Sequence, residues 1–247
     1  MLKTLINENV LSLKGLSRIF KAYSENEDIL LIDDKGIELE KFSFLRQQVD
    51  KKAKDSNYYC LSDFVSSKKS DNDILGSFVV SAGNEVDEYA MEYEKKGDDY
   101  TSIIIKAIGD RLAEACAEYL HREIRIENGD SEEFNLKSLI KEDYNGIRPA
   151  HGYPSIPDHS EKIKIWDLLE VEKNIDVSLT ENFALNPASS ICGLYFFNPQ
   201  SRYFNLGKIS NAQFELYAAK KGYNIDRMRS LLPVSYTHLT LPTNREV

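Results

Sequence analysis

The stretch DDYTSIIIKAIGDRLAEACAEYLHREIRIE, residues 98–127, decides the fold. Ile104, Ile108, Leu112, Ala115 and Tyr119 recur in it at spacings of three and four, which predicts one long amphipathic helix with that line as its apolar stripe. Asp98 and Asp99 stand where a helix N-terminus favours negative charge, and Gly129 marks the stop. Upstream, DILLID (28–33), CLSDFV (60–65) and LGSFVVSAG (75–83) are short, apolar-rich and bounded by polar residues, and each reads as a strand. Downstream, a short helical piece near 136–142 precedes a loop-rich segment in which Pro149, Pro154 and Pro157 crowd together. A helix returns at 161–172 with Ile165, Leu168 and Leu169 as its stripe. SICGLYFFNP (190–199) reads as a strand and SRYFNLGKI (201–209) as its hairpin partner. Helices over 210–221 and 224–232 are separated by Gly222. Strands and helices do not alternate in βαβ fashion, so the expected class is α+β: a single domain with a twisted antiparallel sheet flanked by helices.

Composition bounds the function. Among 247 residues, 31 are basic and 40 acidic, giving a formal charge of −9, which repels phosphate backbones and argues against a generic nucleic-acid binder. No run approaches the roughly 20 apolar residues of a membrane helix, and MLKTLINENV lacks the apolar core of a secretory signal. Cys60, Cys116 and Cys192 are odd in number and far apart, which fits a reducing, cytoplasmic setting rather than a disulfide framework. The cysteines show no CxxC spacing, and His159 has no second histidine or cysteine at ligand spacing, so no metal site is expected. The final residues, VSYTHLTLPTNREV (234–247), bring no periodicity and resemble the translation of a transposon-type sequencing-library adapter. The expected domain is therefore 1–233, with 234–247 a non-native tail.

The segment with chemical character is Arg148-Pro149-Ala150-His151-Gly152-Tyr153-Pro154. Two prolines limit the loop's freedom, and Gly152 lets a ligand approach the backbone near Ala150. Arg148 offers a planar fork for a carboxylate, and Tyr153 an aromatic face with a hydroxyl. Two readings stand side by side: a rigid loop for a small ligand bearing a carboxylate and a flat ring, or a tight structural turn whose arginine pairs with a nearby acid.

RPAHGYP followed by PDHSEK resembles the RPAPGYP…PDHTEK signature of the activation domain of cobalamin-dependent methionine synthase. FLRQQ (44–48), CLSDFV, GSFVVSAG, the 98–121 helix, YNGIRPA (144–150), LTENFALNPASSICGLYFFNP (179–199) and SRYFNLGKI fall in that family's order and spacing, from about residue 10 to 232. The resemblance implies an S-adenosylmethionine-binding reactivation domain of a methyltransferase. Such a domain supports reductive methylation of cob(II)alamin to methylcobalamin, with a flavodoxin-type donor supplying the electron. By the same resemblance, Arg148 holds the methionine carboxylate, Ala150 and Gly152 give backbone access, and Tyr153 forms an aromatic wall. Glu114 supplies an acid, Glu142 a second, and Tyr203 and Phe204 an aromatic pair. No acid–base residue is nominated, because cobalt is the nucleophile and the protein's task is orientation.

The implied partners are the cobalamin-binding domain, in cis or in trans, and flavodoxin. Zinc belongs to a homocysteine domain absent here. Adjacent residues of a strand point to opposite faces, so Tyr203 is the better ligand candidate of its pair. Lys162, Lys164, Lys220 and Lys221 are either a basic docking patch or ordinary surface lysines.

Three departures stand out. His151 replaces a proline, loosening the loop and adding a titratable group. Residues 126–134 lack a Trp-Gly-Tyr segment, and the family domain begins well upstream of Met1, so the chain reads as a C-terminal fragment. Two alternatives remain open: a docking module without ligand binding, and a free-standing reactivase acting in trans.

Overall fold

A computed structural model describes residues 1–48, 57–129 and 135–232. The 234–247 tail and residues 130–134 of the departing segment lie outside them. The elements run α1 (Leu2–Asn7), β1 (Lys14–Glu25), β2 (Asp28–Ile32), β3 (Glu38–Ser43), β4 (Ile74–Ser81), α2 (Asn84–Lys95), α3 (Asp99–Glu127), α4 (Leu136–Lys141), α5 (Lys162–Leu169), α6 (Val171–Ile175), β5 (Ser178–Leu179), β6 (Leu185–Asn186), β7 (Ser190–Phe196), α7 (Asn211–Lys221) and α8 (Ile225–Leu231). Five strands form one antiparallel sheet in the order β3-β2-β1-β4-β7, and β5 pairs with β6 apart from it. The expected α+β class with an antiparallel sheet is what the chain forms.

Alternation along the strands sorts side chains onto two faces. Phe20 and Ala22 of β1, Leu75 and Val79 of β4, and Cys192, Leu194 and Phe196 of β7 share a core with Ile165, Trp166 and Leu169 of α5. The intervening Ile19, Phe78, Val80, Ile191 and Tyr195 face α3, where Ala117 and Ile124 meet them. Each buried Phe, Leu or Ile contributes about 1.5–3 kcal/mol relative to exposure.

The helix over 98–127 forms, and Asp98 caps it by accepting from the Thr101 N–H at 3.0 Å. Its buried face is not the expected stripe. Ser102, Ile105, Gly109, Ala113, Ala117, His121 and Ile124 face inward, whereas Ala115 and Tyr119 are exposed. The inner residues are mostly small, so the helix backbone lies close to the sheet. A stripe chosen by side-chain hydrophobicity misses that face.

Two strands expected from the sequence do not form. Residues 61–64 make a 3-10 turn. The Asp63 carboxylate accepts from the Cys60 N–H at 2.8 Å and is gripped by both ends of the Arg46 fork at 2.8 and 2.9 Å. This side-chain bonding to local backbone outcompetes a ladder. Residues 201–209 run beside the 148–156 loop instead of pairing with β7. The Leu206 N–H donates to the Pro154 carbonyl, the Gln47 amide donates to the Asn205 carbonyl, and Leu206 and Ile209 are buried with Phe214 and Met228. In addition, α1, β1, β3, α2, β5 and β6 were not anticipated, and the helix expected over 161–172 breaks at Glu170 into α5 and α6.

The second half of the signature, PDHSEK, fastens α7 to the sheet. Glu161 is fully buried and pairs with Lys221, with Lys164 at 2.9 Å, and with the Ser43 N–H. Asp158 accepts from the Tyr217 hydroxyl at 2.7 Å and lies 3.4 Å from Lys221. Lys162 is buried and donates to the Phe183 carbonyl, and Lys220 pairs with Asp28 at 2.6 Å. Lys162, Lys164 and Lys221 are therefore engaged by internal carboxylates and carbonyls, while Lys220 stays at the surface beside Asp28.

Candidate functional site

The 147–150 strip lies along the outer edge of β7, held through the backbone. The Ile147 and Phe196 N–H groups bond each other's carbonyls at 3.0 and 2.9 Å, and the Leu194 N–H donates to the Pro149 carbonyl at 3.1 Å. This approach requires Gly193, since a Cβ there would stand 2.4 Å from the Pro149 oxygen. Beyond the strip the chain turns at Gly152, whose φ of +97° suits glycine and whose N–H donates to the Ile156 carbonyl at 2.8 Å.

Between this strip, α3 and residues 203–205 lies an open cavity of about 550 Å³. Seven of the eight residues singled out from the sequence line it: Glu114, Glu142, Arg148, Ala150, Tyr153, Tyr203 and Phe204. Gly152 does not. A Cβ at Gly152 would meet the His159 ring at 2.5 Å, so this glycine shapes the turn rather than the cavity wall. The Tyr203 hydroxyl accepts the Arg148 N–H at 3.1 Å, while Phe204 packs near Tyr59 and Phe64. Both residues of the pair line the cavity, and the 203–204 segment is not a strand.

The arginine finds the nearby acids that the structural reading of the turn expects. Arg148 is among the residues lining the cavity, and its Nη1 lies 2.7 Å from Glu118 Oε2 and its Nη2 3.3 Å from Glu142 Oε1. The Tyr144 hydroxyl accepts from Nη1 at 2.5 Å and donates to Glu118 at 3.2 Å. Burial pushes the Glu118 carboxyl up, against the pull of Arg148. Burial alone would lower the Arg148 guanidinium, but Tyr144, Glu118, Tyr203 and Glu142 outweigh it and hold it above its ordinary value. Burial raises the Tyr203 hydroxyl. The cavity lining sets the Arg148 guanidinium against two carboxylates, Glu114 and Glu142, with Glu118 and Arg125 behind them, an environment that favours a ligand with net positive charge.

The sequence reading gives neither Glu118 nor Tyr144 a role. The available signals were modest: Glu118 stands one turn beyond Glu114, and Tyr144 four residues before Arg148. The replacement at 151 is also more than a loosened loop. His151 is buried with both ring nitrogens lacking protein partners, and burial, then Lys162 and other cations, hold it neutral. His159 packs against Gly152, and its Nδ1 has no hydrogen-bond partner.

Among the described residues, no cluster of three or more His, Cys, Asp or Glu is arranged to hold a metal ion, and no helix is long and apolar enough to cross a membrane. The three cysteines are free thiols; burial pushes Cys60 up to about 11 and Cys192 up to about 12.

The family described as vitamin B12 dependent methionine synthase, activation domain, matches residues 1–222. Among solved structures, the chain is similar to a crystal structure of the MetH reactivation domain bound to AdoHcy. The two share 39% sequence identity at a TM-score of 0.89, over 96% of this chain and 74% of that one.

Proposed function

The chain belongs to the vitamin B12 dependent methionine synthase activation-domain family, and on that premise we propose that its cavity binds S-adenosylmethionine for the reductive remethylation of an oxidised corrinoid. The observation that carries this reading is the convergence of Glu114, Glu142, Arg148, Ala150, Tyr153, Tyr203 and Phe204 on one cavity beside the 148–154 loop. The similar MetH domain, solved with AdoHcy, supports the ligand class.

The donor set fits the ligand. Arg148 takes the carboxylate through the fork end that faces the cavity. Glu114 and Glu142 receive the ammonium and balance the sulfonium charge. Tyr153 and Tyr203 present aromatic faces to the flat base and to the cation. The backbone at Ala150, fixed on β7, sets the depth at which the amino-acid end sits. The corrinoid, carried on a neighbouring domain of the full enzyme, supplies the nucleophile and the redox chemistry. This chain's residues orient the methyl donor and need withdraw no proton, so their contribution is proximity and alignment. The cobalamin-binding domain is accordingly the proposed principal partner and a flavodoxin-type reductase the proposed electron donor. The methyltransferase activity belongs to the full enzyme.

Calorimetry tests the reading. S-adenosylmethionine is expected to bind this chain, and Arg148→Ala to weaken it by about 100-fold through loss of a charge-assisted, fork-type contact. Equal affinity in the variant would overturn the assignment of the carboxylate. Absence of binding, both here and in a version extended upstream, would overturn the ligand and leave a docking module.

A further inference from the structure

Glu118, Tyr144, His121 and Arg125 form a second layer behind the cavity that the ligand reading does not use. Residues 118, 121 and 125 follow each other at spacings of three and four, so one face of α3 presents all three. The Arg125 guanidinium lies 3.6 Å from the centre of the Tyr144 ring, and His121 meets that ring edge-on at 5.2 Å. His121 is in turn stacked on Tyr195 at 4.8 Å, and Tyr195 on Phe78 at 4.6 Å. The column locks Tyr144, and Tyr144 with Glu118 closes a three-way hydrogen-bonded ring on Nη1 of Arg148.

The two ends of the Arg148 fork are treated differently. At Nη1 the contacts are short, 2.5 and 2.7 Å, and the Glu118 side chain is 18% exposed. At Nη2 the contact is 3.3 Å, to a Glu142 side chain that is 42% exposed. One end is fixed and the other exchangeable.

We propose that Glu118 and Tyr144 are positioning residues that clamp Nη1 of Arg148, so that Nη2 is presented to an incoming carboxylate, which displaces Glu142. The ligand's identity rests on the preceding reading, but the clamp is a property of the unliganded chain. Displaced from Nη2, Glu142 is free to meet the ligand's ammonium, so neither group of the broken pair is left without a counter-charge.

Two measurements test this. The first needs no ligand. In nitrogen-edited NMR, assigned with Arg148→Lys, the Nη–H signals of Arg148 are expected to be separate, as for a guanidinium that does not rotate. They are expected to merge in Glu118→Gln combined with Tyr144→Phe, with the amide spectrum otherwise retained. Separate signals in the double variant would overturn the clamp. Merged signals in the unmodified chain would overturn it as well.

The second compares S-adenosylmethionine with 5′-methylthioadenosine, which lacks the carboxylate. The double variant is expected to lose about tenfold in affinity for the first and to keep its affinity for the second. Loss of both, or of neither, would overturn the proposal. If neither compound binds the unmodified chain, the ligand reading fails, while the NMR arm still decides the clamp. Should the double variant unfold, Tyr144→Phe alone carries both measurements, with a smaller change in the same direction.

Discussion

Two cation–carboxylate clusters flank the signature loop, and they are built from the same chemistry to opposite ends. Around Glu161, the side chains are sealed: Glu161 is 0% and Lys221 7% exposed, and Lys164, Asp158 and Tyr217 complete the shell. Around Arg148, one side is sealed by Glu118 and Tyr144 while the other opens through Glu142 into a cavity. A closed cluster has no valence left for a ligand and serves to join elements, here α7 to α5 and β3. An open one retains a face that solvent or a solute can claim. Exposure of the last partner, rather than the presence of charge, separates structure from recognition.

The largest test of that contrast is truncation. Glu161→Ala leaves the buried Lys221 ammonium and the half-buried Lys164 without their main counter-charge and is expected to cost about 3–5 kcal/mol in urea unfolding. Glu142→Ala is expected to cost less than about 1 kcal/mol, because its partner keeps Glu118 and water. Similar losses in the two variants would erase the distinction.

A smaller effect is expected at Gly193. The Cβ of Gly193→Ala would collide with the Pro149 carbonyl and come within 3.1 Å of the Ala150 Cα. The expected cost is about 1–3 kcal/mol. Ligand affinity should fall with it, because the strip shifts, while the ion pairs around Glu161 persist. Unchanged calorimetry in a destabilised Gly193→Ala variant would show that the strip's position does not control the cavity.

The smallest effect is a pH dependence. One buried histidine neighbours each cluster: His121 behind Arg148, and His151 near the Lys162 and Lys221 charges. Burial first, and adjacent cations second, hold both well below the ordinary imidazole value of 6.5. The unfolded chain therefore takes up protons that the folded chain refuses. Stability is full above about pH 6.5 and declines as pH falls toward the folded-state values, by at most about 1.4 kcal/mol per pH unit for each histidine. Urea titrations at pH 7.5 and 5.5 check this, and His121→Gln and His151→Gln should each flatten part of the slope. A slope indifferent to both substitutions would remove these histidines as its source.

How far the sequence was readable follows the same divide. The cavity residues were legible because Arg148, Ala150 and Tyr153 sit in one contiguous, proline-stiffened motif with a family likeness. Glu118 and Tyr144 were not, because their meaning depends on what α3 faces, and α3 is rotated from the stripe its larger apolar residues suggest. β2, β4 and β7 were visible as apolar runs, whereas β1 was hidden by Lys14, Ser17, Arg18, Lys21 and Ser24 among its inward residues. The 61–64 turn was misread because its apolar content says strand, while Asp63 bonds the local backbone and is held by Arg46, distant in sequence. Charged side chains default to the surface in any reading of one sequence, so the closed cluster of Asp158, Glu161 and Lys221 could emerge only from the fold.

The strip along β7 has one more consequence. β7 ends the sheet, and an unguarded terminal strand offers its amides and carbonyls as a template for another chain. Residues 147–150 occupy part of that border, so the segment that shapes the cavity also shields the molecule from sticking to its own kind. Lesions that pry it loose should surface as turbidity and higher-order species before they register as an empty binding site.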